Sequence, residues 1–583
     1  MTQVKPRTTI RKRLKQSLKK TCSVNVLKKR LPIIQWLPKY SIDFLIQDII
    51  AGITVGLTAI PQGIAYAVIA GLPPEYGLYA SLTAGFVYIF FGSCKDVTVG
   101  PTAIISTMTA KYASYSIDYA ILAAFLTGAS ILLMGIFKLG FLVNFISMPV
   151  ISGFTTAAAL QIAASQLKAF FALSGSSGNY FAESILNFVQ NIKTAKIWDP
   201  LLATVTIIML YLLKRIGNGC KRTDGFAKKT RWFVSLARNA VVVVFGMVLA
   251  YIFKVTTDTE PFVLIGDIGG GLPKVGLPPF STVSGNVTET FPDMLAKLGP
   301  QFIILPLVAI LESVAIAKAF AEGGVVDATQ EMIAVGLCNL IGSFVQSMPI
   351  TGSFTRTALN YASGVKTPAG GFTKCLLIIV ALSLLTSTFY YIPKASLAGL
   401  IITAMFNMID YEIFSRLWRK SKIEFLLLIM TIIVCLFAGL EYGIVAGIML
   451  EGLMLLYRTS VPPLQVHKAK SDTGELITLS LCDSLSYCAA EHIRSMILKA
   501  SQQAESDSIM VVDGTNLQKM DSTVASNLMI LVKDFDKQNR NVIFLNFKTE
   551  LRDLCIDIHP KAESKFVTTA SILDLVKSVP KSV

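Results

Sequence analysis

Histidine is nearly absent from this chain of 583 residues, and His467, His492 and His559 all follow its last long apolar segment. The apolar part therefore offers no imidazole for a haem, a zinc ion or a serine nucleophile. The nine cysteines are scattered without a C-x-x-C pair, which argues against a zinc site or a disulfide framework. No Gly-rich phosphate loop is present, so nothing predicts nucleotide hydrolysis, an enzyme, a metal or a cofactor.

Charge is also scarce: 15% of the residues are charged, 53% are hydrophobic, and the mean hydropathy is +0.60. Soluble domains average about 25% charged residues, so the composition predicts a polytopic membrane protein. Apolar segments follow one another from Asp48 to Tyr457, and one of the clearest is Cys375–Phe389. Short and Gly/Pro-interrupted segments included, they number roughly twelve to fourteen.

Residues 1–40 lack acidic side chains altogether, although they contain twelve lysines and arginines. Such a run often binds nucleic acid, but in front of a membrane domain an excess of positive charge on the cytoplasmic side is the better interpretation. A mitochondrial transit peptide is the remaining alternative. We therefore predict a cytoplasmic basic segment over residues 1–40 and no nucleic-acid partner.

Loop charges predict the orientation of the chain. The connection Lys214–Arg238 carries eight basic residues and one acid, and Arg416–Lys422 carries four basic residues, so both are expected in the cytoplasm. The link between the two halves, near Lys254–Gly299, contains the glycosylation acceptor Asn286-Val287-Thr288. Seven segments before it would place Asn286 outside, and seven more would return the C-terminus to the cytoplasm.

Two short segments occupy corresponding places in the two halves. Val97–Ala103 and Ser347–Ser353 each consist of a few extended residues and a Gly or Pro breaker, and a half-length helix follows. Paired interrupted segments of this kind indicate the midplane binding site of a transporter. Two unrelated kinks are the alternative.

Arg356 is the only charged residue between Leu337 and Ala362. A guanidinium at membrane depth costs roughly 2.5–3.5 kcal/mol even on insertion scales, so it indicates function. It follows Pro349 and Gly352, where the half-length helix would begin and direct unpaired N–H groups and a positive dipole end towards a ligand. This pattern predicts a buried anion site, and an arginine in a cytoplasmic loop is the alternative.

After Val461-Pro462-Pro463 the pattern changes to strand–helix alternation, which predicts a small α/β domain over residues 459–583, behind a transmembrane domain over residues 41–458. The predicted strands are Glu475–Leu481, Ser508–Val512 and Asn541–Asn546, and the predicted helices are Ser484–Ala500 and Asp521–Asp536. Ser522 is interpreted as a helix cap.

Six motifs occur in a characteristic order along the chain: Pro61-Gln62-Gly63-Ile64-Ala65-Tyr66-Ala67, Gly71–Tyr79, Phe91-Gly92-Ser93, Val99-Gly100-Pro101, Asp327-Ala328-Thr329-Gln330-Glu331 and Ser353-Phe354-Thr355-Arg356. Together they resemble the sulfate permease family, which is solute carrier family 26 in animals, and the tail resembles its STAS domain. The similarity covers nearly everything from residue 31 to the end, and Leu31–Pro38 and Pro306–Ser313 are most similar to the sodium-independent sulfate transporter branch.

This resemblance implies a polytopic α-helical membrane protein of 14 segments, arranged as a 7+7 inverted repeat, with a C-terminal α/β STAS domain. It also implies core and gate domains, a homodimer, and an anion held between the facing half-helices. Thr102 replaces an aromatic residue of some animal members, Thr355 replaces a common Ser, and Thr329 replaces the usual Asn beside Gln330-Glu331. Carried over by motif, the anion-binding residues are Gln62, Tyr66, Thr102, Phe354, Thr355 and Arg356.

Glu312 is a second ionisable group at membrane depth. The resemblance makes it a candidate for proton coupling, because members with a carboxylate here are thought to be proton-coupled. A permanent pairing of Glu312 with Arg356 or Lys318 is the alternative.

We therefore expect a secondary active transporter of sulfate and related small anions, working by exchange or by proton-coupled, elevator-type transport. Chloride, bicarbonate and oxalate are further expected anions. The expected location is the plasma membrane, with an endolysosomal membrane as the alternative. A channel-like or voltage-responsive member of the family, a nucleobase transporter of the same fold and a non-transporting scaffold are the competing interpretations.

Overall fold

The structure is a computed structural model that describes residues 28–175, 178, 180–216, 226–284, 287–299, 301–321, 326–462, 464–471, 474–481, 484–503, 508–538 and 540–568. The chain divides into two compact units, Met1–Ile448 and Met449–Val583. The predicted glycosylation site Asn286 and residues 1–27 of the basic segment lie outside the described residues. The predicted limits 1–40, 41–458 and 459–583 stay a prediction.

The described residues up to Ser460 form mainly helices, and eight of the described helical segments are long and apolar enough to cross a membrane. The last of these segments, Tyr442–Ser460, crosses the boundary between the two units. The first half contains α1 (Ile33–Trp36), α2 (Ile42–Ile69), α3 (Pro74–Phe91), β1 (Val99–Gly100), α4 (Ala103–Ala113), α5 (Ile117–Ile136), α6 (Met148–Ser165), α7 (Leu167–Phe170), α8 (Phe181–Asn191), α9 (Trp198–Ile216), α10 (Phe226–Leu236) and α11 (Arg238–Thr257). A hairpin of β2 (Thr282–Ser284) and β3 (Val287–Glu289) follows.

The second half repeats the order of long and short helices. It contains α12 (Phe291–Leu298), α13 (Gln301–Phe320), α14 (Ala328–Ser343), β4 (Thr351–Gly352), α15 (Phe354–Ala362), α16 (Gly370–Val380), a π-helical turn (Ala381–Leu385), α17 (Thr386–Phe389), α18 (Lys394–Phe406), α19 (Tyr411–Lys420), α20 (Lys422–Ala438) and α21 (Leu440–Ser460).

The helix contacts are symmetrical when the two halves are exchanged. Helices α2 and α3 pack on α16, while α13 and α14, their counterparts in the second half, pack on α5. Helix α6 packs on α20, and α9 packs on α18. Each half therefore completes its buried surface with helices from the other half, which is the arrangement expected of an inverted repeat.

Two glycines of the sequence motifs permit a close crossing of α2 and α3. A Cβ atom on Gly77 would lie 2.0 Å from the Gly63 carbonyl oxygen, and one on Gly63 would lie 3.1 Å from the Gly77 carbonyl oxygen. Only glycine fits such a backbone contact. The crossing holds the segment with Gln62 against α3, which positions it beside the interrupted segments.

The two interrupted segments meet as the sequence predicts. Strand β1 pairs with β4 in antiparallel register, with Val99 opposite Gly352 and Gly100 opposite Thr351. Helices α4 and α15 begin directly after these strands and have 11 and 9 residues. At 1.5 Å per residue they are about 16 Å and 14 Å long, roughly half of a hydrocarbon core.

The second unit contains strands and helices in alternation. The strands are β5 (Gln465–Ser471), β6 (Gly474–Ser480), β7 (Ser484–Leu485), β8 (Ile509–Asp513), β9 (Lys519–Met520), β10 (Asn541–Leu545) and β11 (Phe566–Val567), and the helices are α22 (Ala490–Gln502), α23 (Ser522–Lys537) and α24 (Thr549–Ile558). Five strands form one sheet in the order β11-β10-β8-β6-β5, in which only the edge strand β5 is antiparallel to its neighbour. The apolar faces of the three helices cover this sheet and form one buried core.

Two predictions for this unit were wrong. The helix predicted over Ser484–Ala500 begins only at Ala490, because Ser484 and Leu485 pair with Lys519 and Met520 as a short strand. Ser522 is the first helical residue rather than the cap. The Asp521 carboxylate caps α23 by accepting the Val524 N–H at 2.9 Å.

Candidate functional site

The starts of α4 and α15 lie side by side because β1 and β4 are paired. The Ser353 N–H donates to the Thr98 carbonyl at 3.0 Å, and the Thr98 N–H donates to the Thr357 hydroxyl at 3.1 Å. The two N-cap residues, Thr102 and Ser353, make no side-chain capping bond to their helices. First-turn N–H groups have no intrahelical acceptor, so two positive helix ends are available to one ligand.

Arg356 lies in the first turn of α15 and is only 1% exposed. Its Nη2 donates to the Pro101 carbonyl at 2.8 Å, and its Nη1 approaches the Gln62 Oε1 at 3.5 Å. Within the described part of the chain, no carboxylate forms an ion pair with this guanidinium. A buried positive charge held only by neutral acceptors leaves charge to be compensated by a bound anion.

Glu312 lies on α13 beside the same junction, but its partner is a hydroxyl group. The Thr102 hydroxyl donates to the Glu312 Oε2 at 3.3 Å. The alternative in which Glu312 pairs with Arg356 is not formed in this structure. The carboxylate and the guanidinium thus contact the successive residues Thr102 and Pro101 without forming an ion pair with each other.

The six predicted anion-site residues converge where α2, α4 and α15 meet. Gln62 and Tyr66 are one turn apart on α2, and both are buried, as is Thr102. Phe354 is 46% exposed, and its ring centroid lies 5.3 Å from that of Phe320. The Thr355 hydroxyl is 3.4 Å from the Ser353 hydroxyl. No one of the six is remote from the others in the fold.

A cavity of about 300 Å³ reaches this junction from one side. Gln62, Phe354 and Thr355 line it, as do Lys214 and Arg238. Tyr66, Thr102 and Arg356 are not part of its lining. The described state therefore gives access to half of the predicted residues and keeps the charged one buried.

Lys374 is a site residue that the sequence interpretation missed. It is 2% exposed on α16, and its Nζ donates to the Val99 carbonyl at 3.2 Å. No carboxylate in the described ranges pairs with it, so it is a second buried cation behind β1. The signal that could have found it is the same as for Arg356, namely a basic residue within an apolar span. It was missed because the predicted span begins at Cys375, one residue after Lys374.

The Gln330-Glu331 motif joins α14 to the end of α3. The Gln330 amide donates to the Phe91 carbonyl at 2.8 Å and to the Arg30 carbonyl at 3.2 Å. The buried Glu331 carboxylate accepts the Tyr88 hydroxyl at 3.0 Å. These contacts give the motif a structural role outside the anion site.

The structure thus defines a class of protein, a polytopic inverted-repeat membrane protein with two buried cations beside paired half-helices and a separate α/β unit. The model of the sulfate permease family matches residues 45–431, and the model of the STAS domain matches residues 468–564. The chain belongs to the sulfate permease family, whose members are transporters and not enzymes.

Similar proteins agree with this assignment. The chain is 38% identical to a sodium-independent sulfate anion transporter of Bos taurus, over 96% of this chain and 93% of that protein. It is 31% identical to sulfate permease 2 of Saccharomyces cerevisiae, over 76% of this chain but only 52% of the yeast protein. The solved structure of the murine solute carrier 26 family member A9 anion transporter, in the inward-facing state, superimposes with a TM-score of 0.83 at 21% identity, covering 99% of this chain and 100% of that one.

These similarities confirm the predicted family and the predicted fold class, an integral multi-pass membrane protein with a C-terminal STAS domain. The count of fourteen segments and the six anion-site residues stay predictions.

Proposed function

We propose that the protein is a secondary transporter of sulfate and related small anions, which it holds between the starts of α4 and α15. The observation that carries this proposal is the buried Arg356, which has no counter-ion in the described residues and lies beside two uncapped helix ends. A sulfate ion needs hydrogen-bond donors and a positive charge that no carboxylate has already neutralised. The name of the Bos taurus relative supports sulfate as the first substrate to test.

Each predicted residue has a role in this proposal. Arg356 supplies a charge-assisted donor, and the contact with Gln62 holds the guanidinium in place. The hydroxyls of Tyr66 and Thr355 donate to further anion oxygens, and Phe354 forms an apolar wall of the cavity. Thr102 contributes its backbone at the start of α4 and links the site to Glu312.

The cavity lining supports access from the cytoplasm in the described state. Lys214 and Arg238 line the cavity and belong to the basic loops that are expected in the cytoplasm, together with both termini. An elevator-type movement of the core would then carry the bound anion across. We also propose a homodimer in the plasma membrane, with Asn286 as the glycosylation candidate on the opposite side of the bilayer.

Coupling to a proton is supported by the surroundings of Glu312. Because Glu312 accepts a hydroxyl hydrogen bond instead of forming an ion pair with Arg356, it can bind a proton without breaking a salt bridge. A proton travelling with a divalent anion would reduce the charge that crosses the bilayer, which lowers the cost of transport. Exchange with chloride, bicarbonate or oxalate would achieve the same end.

The experiment that tests the proposal is radiolabelled sulfate uptake by proteoliposomes with internal chloride and external pH varied. Saturable uptake is the expected result, and a dependence on internal chloride or on external acid distinguishes exchange from proton coupling. Absence of uptake under every gradient would contradict sulfate transport. Voltage-dependent charge movement without flux would favour the channel-like or voltage-responsive alternative.

A further inference from the structure

A second cavity, of about 350 Å³, lies at the other end of α4 from the candidate site. Three lysines line it: Lys111 in the last turn of α4, Lys168 in α7, and Lys394 at the start of α18. None of the six predicted site residues lines it. The two cavities are therefore separate spaces in the described state.

The lining of this second cavity has an excess of positive charge. No carboxylate is among its described lining residues, and within the described ranges none of the three lysines forms an ion pair. Three like charges around one cavity repel one another, and an anion between them relieves that repulsion. The protein can fold without a bound anion, because the three lysines are exposed or half-buried and their ammonium groups remain solvated.

Neutral donors complete the cavity. Ser184 is 4% exposed, and its Oγ has no hydrogen-bond partner in the described part of the chain, although it lies in the lining. Burying a hydroxyl without a partner is unfavourable, and a ligand oxygen that accepts its hydrogen would remove that cost. The largely buried amide of Gln166 also lines the space. Charge and an unsatisfied hydroxyl are independent observations that indicate the same kind of ligand.

We propose that Lys111, Lys168 and Lys394 form a second anion-binding site for a small divalent oxyanion, distinct from the site at Arg356. A divalent anion is favoured over a monovalent one because its Coulomb energy with the three ammonium groups is twice as large. Lysines act as flexible point charges without a planar fork, so the site accepts tetrahedral and planar oxyanions alike. Its ligand class rests on the proposed transport function.

The position of the cavity indicates what the site does. The ends of α4 and α7 and the start of α18 fall on the side opposite the Lys214–Arg238 loop, if the predicted orientation holds. A basic cavity on that side would concentrate anions where, in the described state, the candidate site cannot be reached. Such focusing raises association rates and weakens as ionic strength increases.

The test is equilibrium binding of radiolabelled sulfate to the purified full-length protein in detergent, which does not depend on transport. The variants are Arg356→Ala, the triple substitution Lys111→Gln/Lys168→Gln/Lys394→Gln, and the two combined. We expect two saturable sites in the wild-type protein, one in Arg356→Ala, one in the triple variant and none in the combination. Raising the salt concentration should weaken the site left in Arg356→Ala.

Two further variants separate charge from folding. Lys193→Gln removes an exposed lysine from the short 3-10 helix after α8, outside the cavity lining, and should bind sulfate as the wild type does. Replacing the three cavity lysines by arginine should retain the second site, whereas loss in both triple variants would assign the lysines a structural role and overturn the proposal.

The proposal is also overturned if Arg356→Ala has no saturable sulfate binding, or if its binding survives the triple Gln substitution. Failure of wild-type uptake with two binding sites intact would instead contradict the transport function alone.

Discussion

The two halves of the membrane unit have matching helices but contribute different chemistry to the candidate site. The charged side chains at the β1–β4 junction, Glu312, Arg356 and Lys374, all belong to the second half; Arg356 and Lys374 are buried, and Glu312 is half-buried. Their hydrogen-bond partners Gln62, Val99, Pro101 and Thr102 all belong to the first half. The two halves therefore share a backbone arrangement, but the charged side chains at the junction come from the second half alone.

This difference shows why both halves are needed for one site. The first half supplies neutral acceptors, the Thr102 hydroxyl that donates to Glu312, and a helix end. None of these can compensate the charge of a divalent anion alone. The second half supplies two cations, which would be costly to bury without the carbonyl oxygens of the first half. The following four predictions test this division of roles, from the largest expected effect to the smallest.

Arg356→Ala removes the cation that bridges the halves. A hydrogen bond to a charged group contributes about 1.5–3 kcal/mol, so we expect sulfate affinity to fall by roughly 10- to 150-fold. The measurement is the concentration dependence of sulfate uptake by proteoliposomes. Arg416→Ala, which alters an exposed arginine outside the site, is the matched control. An unchanged sulfate affinity in Arg356→Ala would contradict the proposal that the anion binds at this junction.

Lys374→Gln removes the second cation while retaining a donor to the Val99 carbonyl. Because the Coulomb energy scales with ligand charge, a loss of about tenfold in sulfate affinity should accompany a loss of about threefold for chloride. Competition between the two anions during uptake measures both values. Lys374→Arg should preserve the preference for sulfate, and equal losses for both anions would show that Lys374 acts only through the structure.

Gly100→Ala and Gly352→Ala compare one glycine from each of the two paired strands, β1 and β4. A Cβ on Gly100 would lie 3.0 Å from the Arg356 Nη2, a movable group, so we expect an approximately fivefold loss of sulfate affinity with little loss of stability. A Cβ on Gly352 would lie 3.2 Å from the Ser313 Cα, which is backbone. That contact should cost about 1–3 kcal/mol in stability. Uptake and thermal unfolding of both variants distinguish these outcomes, and the reverse pattern would contradict them.

Glu312→Gln keeps the size of the side chain and its acceptor oxygen for Thr102 but removes its titration. Wild-type uptake should increase as external pH falls, whereas uptake by the variant should remain at one level across the same range. The maximal rate should change less than in the other variants, by about twofold, because the amide oxygen still accepts the Thr102 hydroxyl and no hydrogen bond is lost. A pH profile that survives the substitution would assign Glu312 a structural role.

Sequence patterns predicted those parts of the site that depend on local chain chemistry. Pro349, Gly352 and the isolated Arg356 indicate a half-helix and its charge without knowledge of the fold. The same reasoning did not find Lys374, because the predicted apolar span begins at Cys375, while α16 in fact begins at Gly370. Its burial depends on contact with β1, which is 275 residues away in the chain. Partners at such distances are not encoded in a local pattern.

The C-terminal unit shows the same limit on a smaller scale. The predicted strands of the parallel core were correct within about two residues, since uninterrupted apolar residues are typical of strands buried on both faces. The edge strand β5 (Gln465–Ser471) was not predicted, because its alternation includes His467, Lys468 and Lys470 and forms only by pairing with β6. Tertiary pairing decided the outcome where the local signal was weak.

The pairing of β1 with β4 fixes the spacing between the two helix ends, because each strand belongs to a different half and the two are joined by backbone hydrogen bonds. Neither end can withdraw alone, so an anion meets the same aperture whichever face of the membrane it enters from. Selectivity by size should consequently be independent of the direction of flux. The distance between the two helix ends would thus set the same size limit for inward and outward transport, and the ion gradients across the membrane would determine the direction of flux.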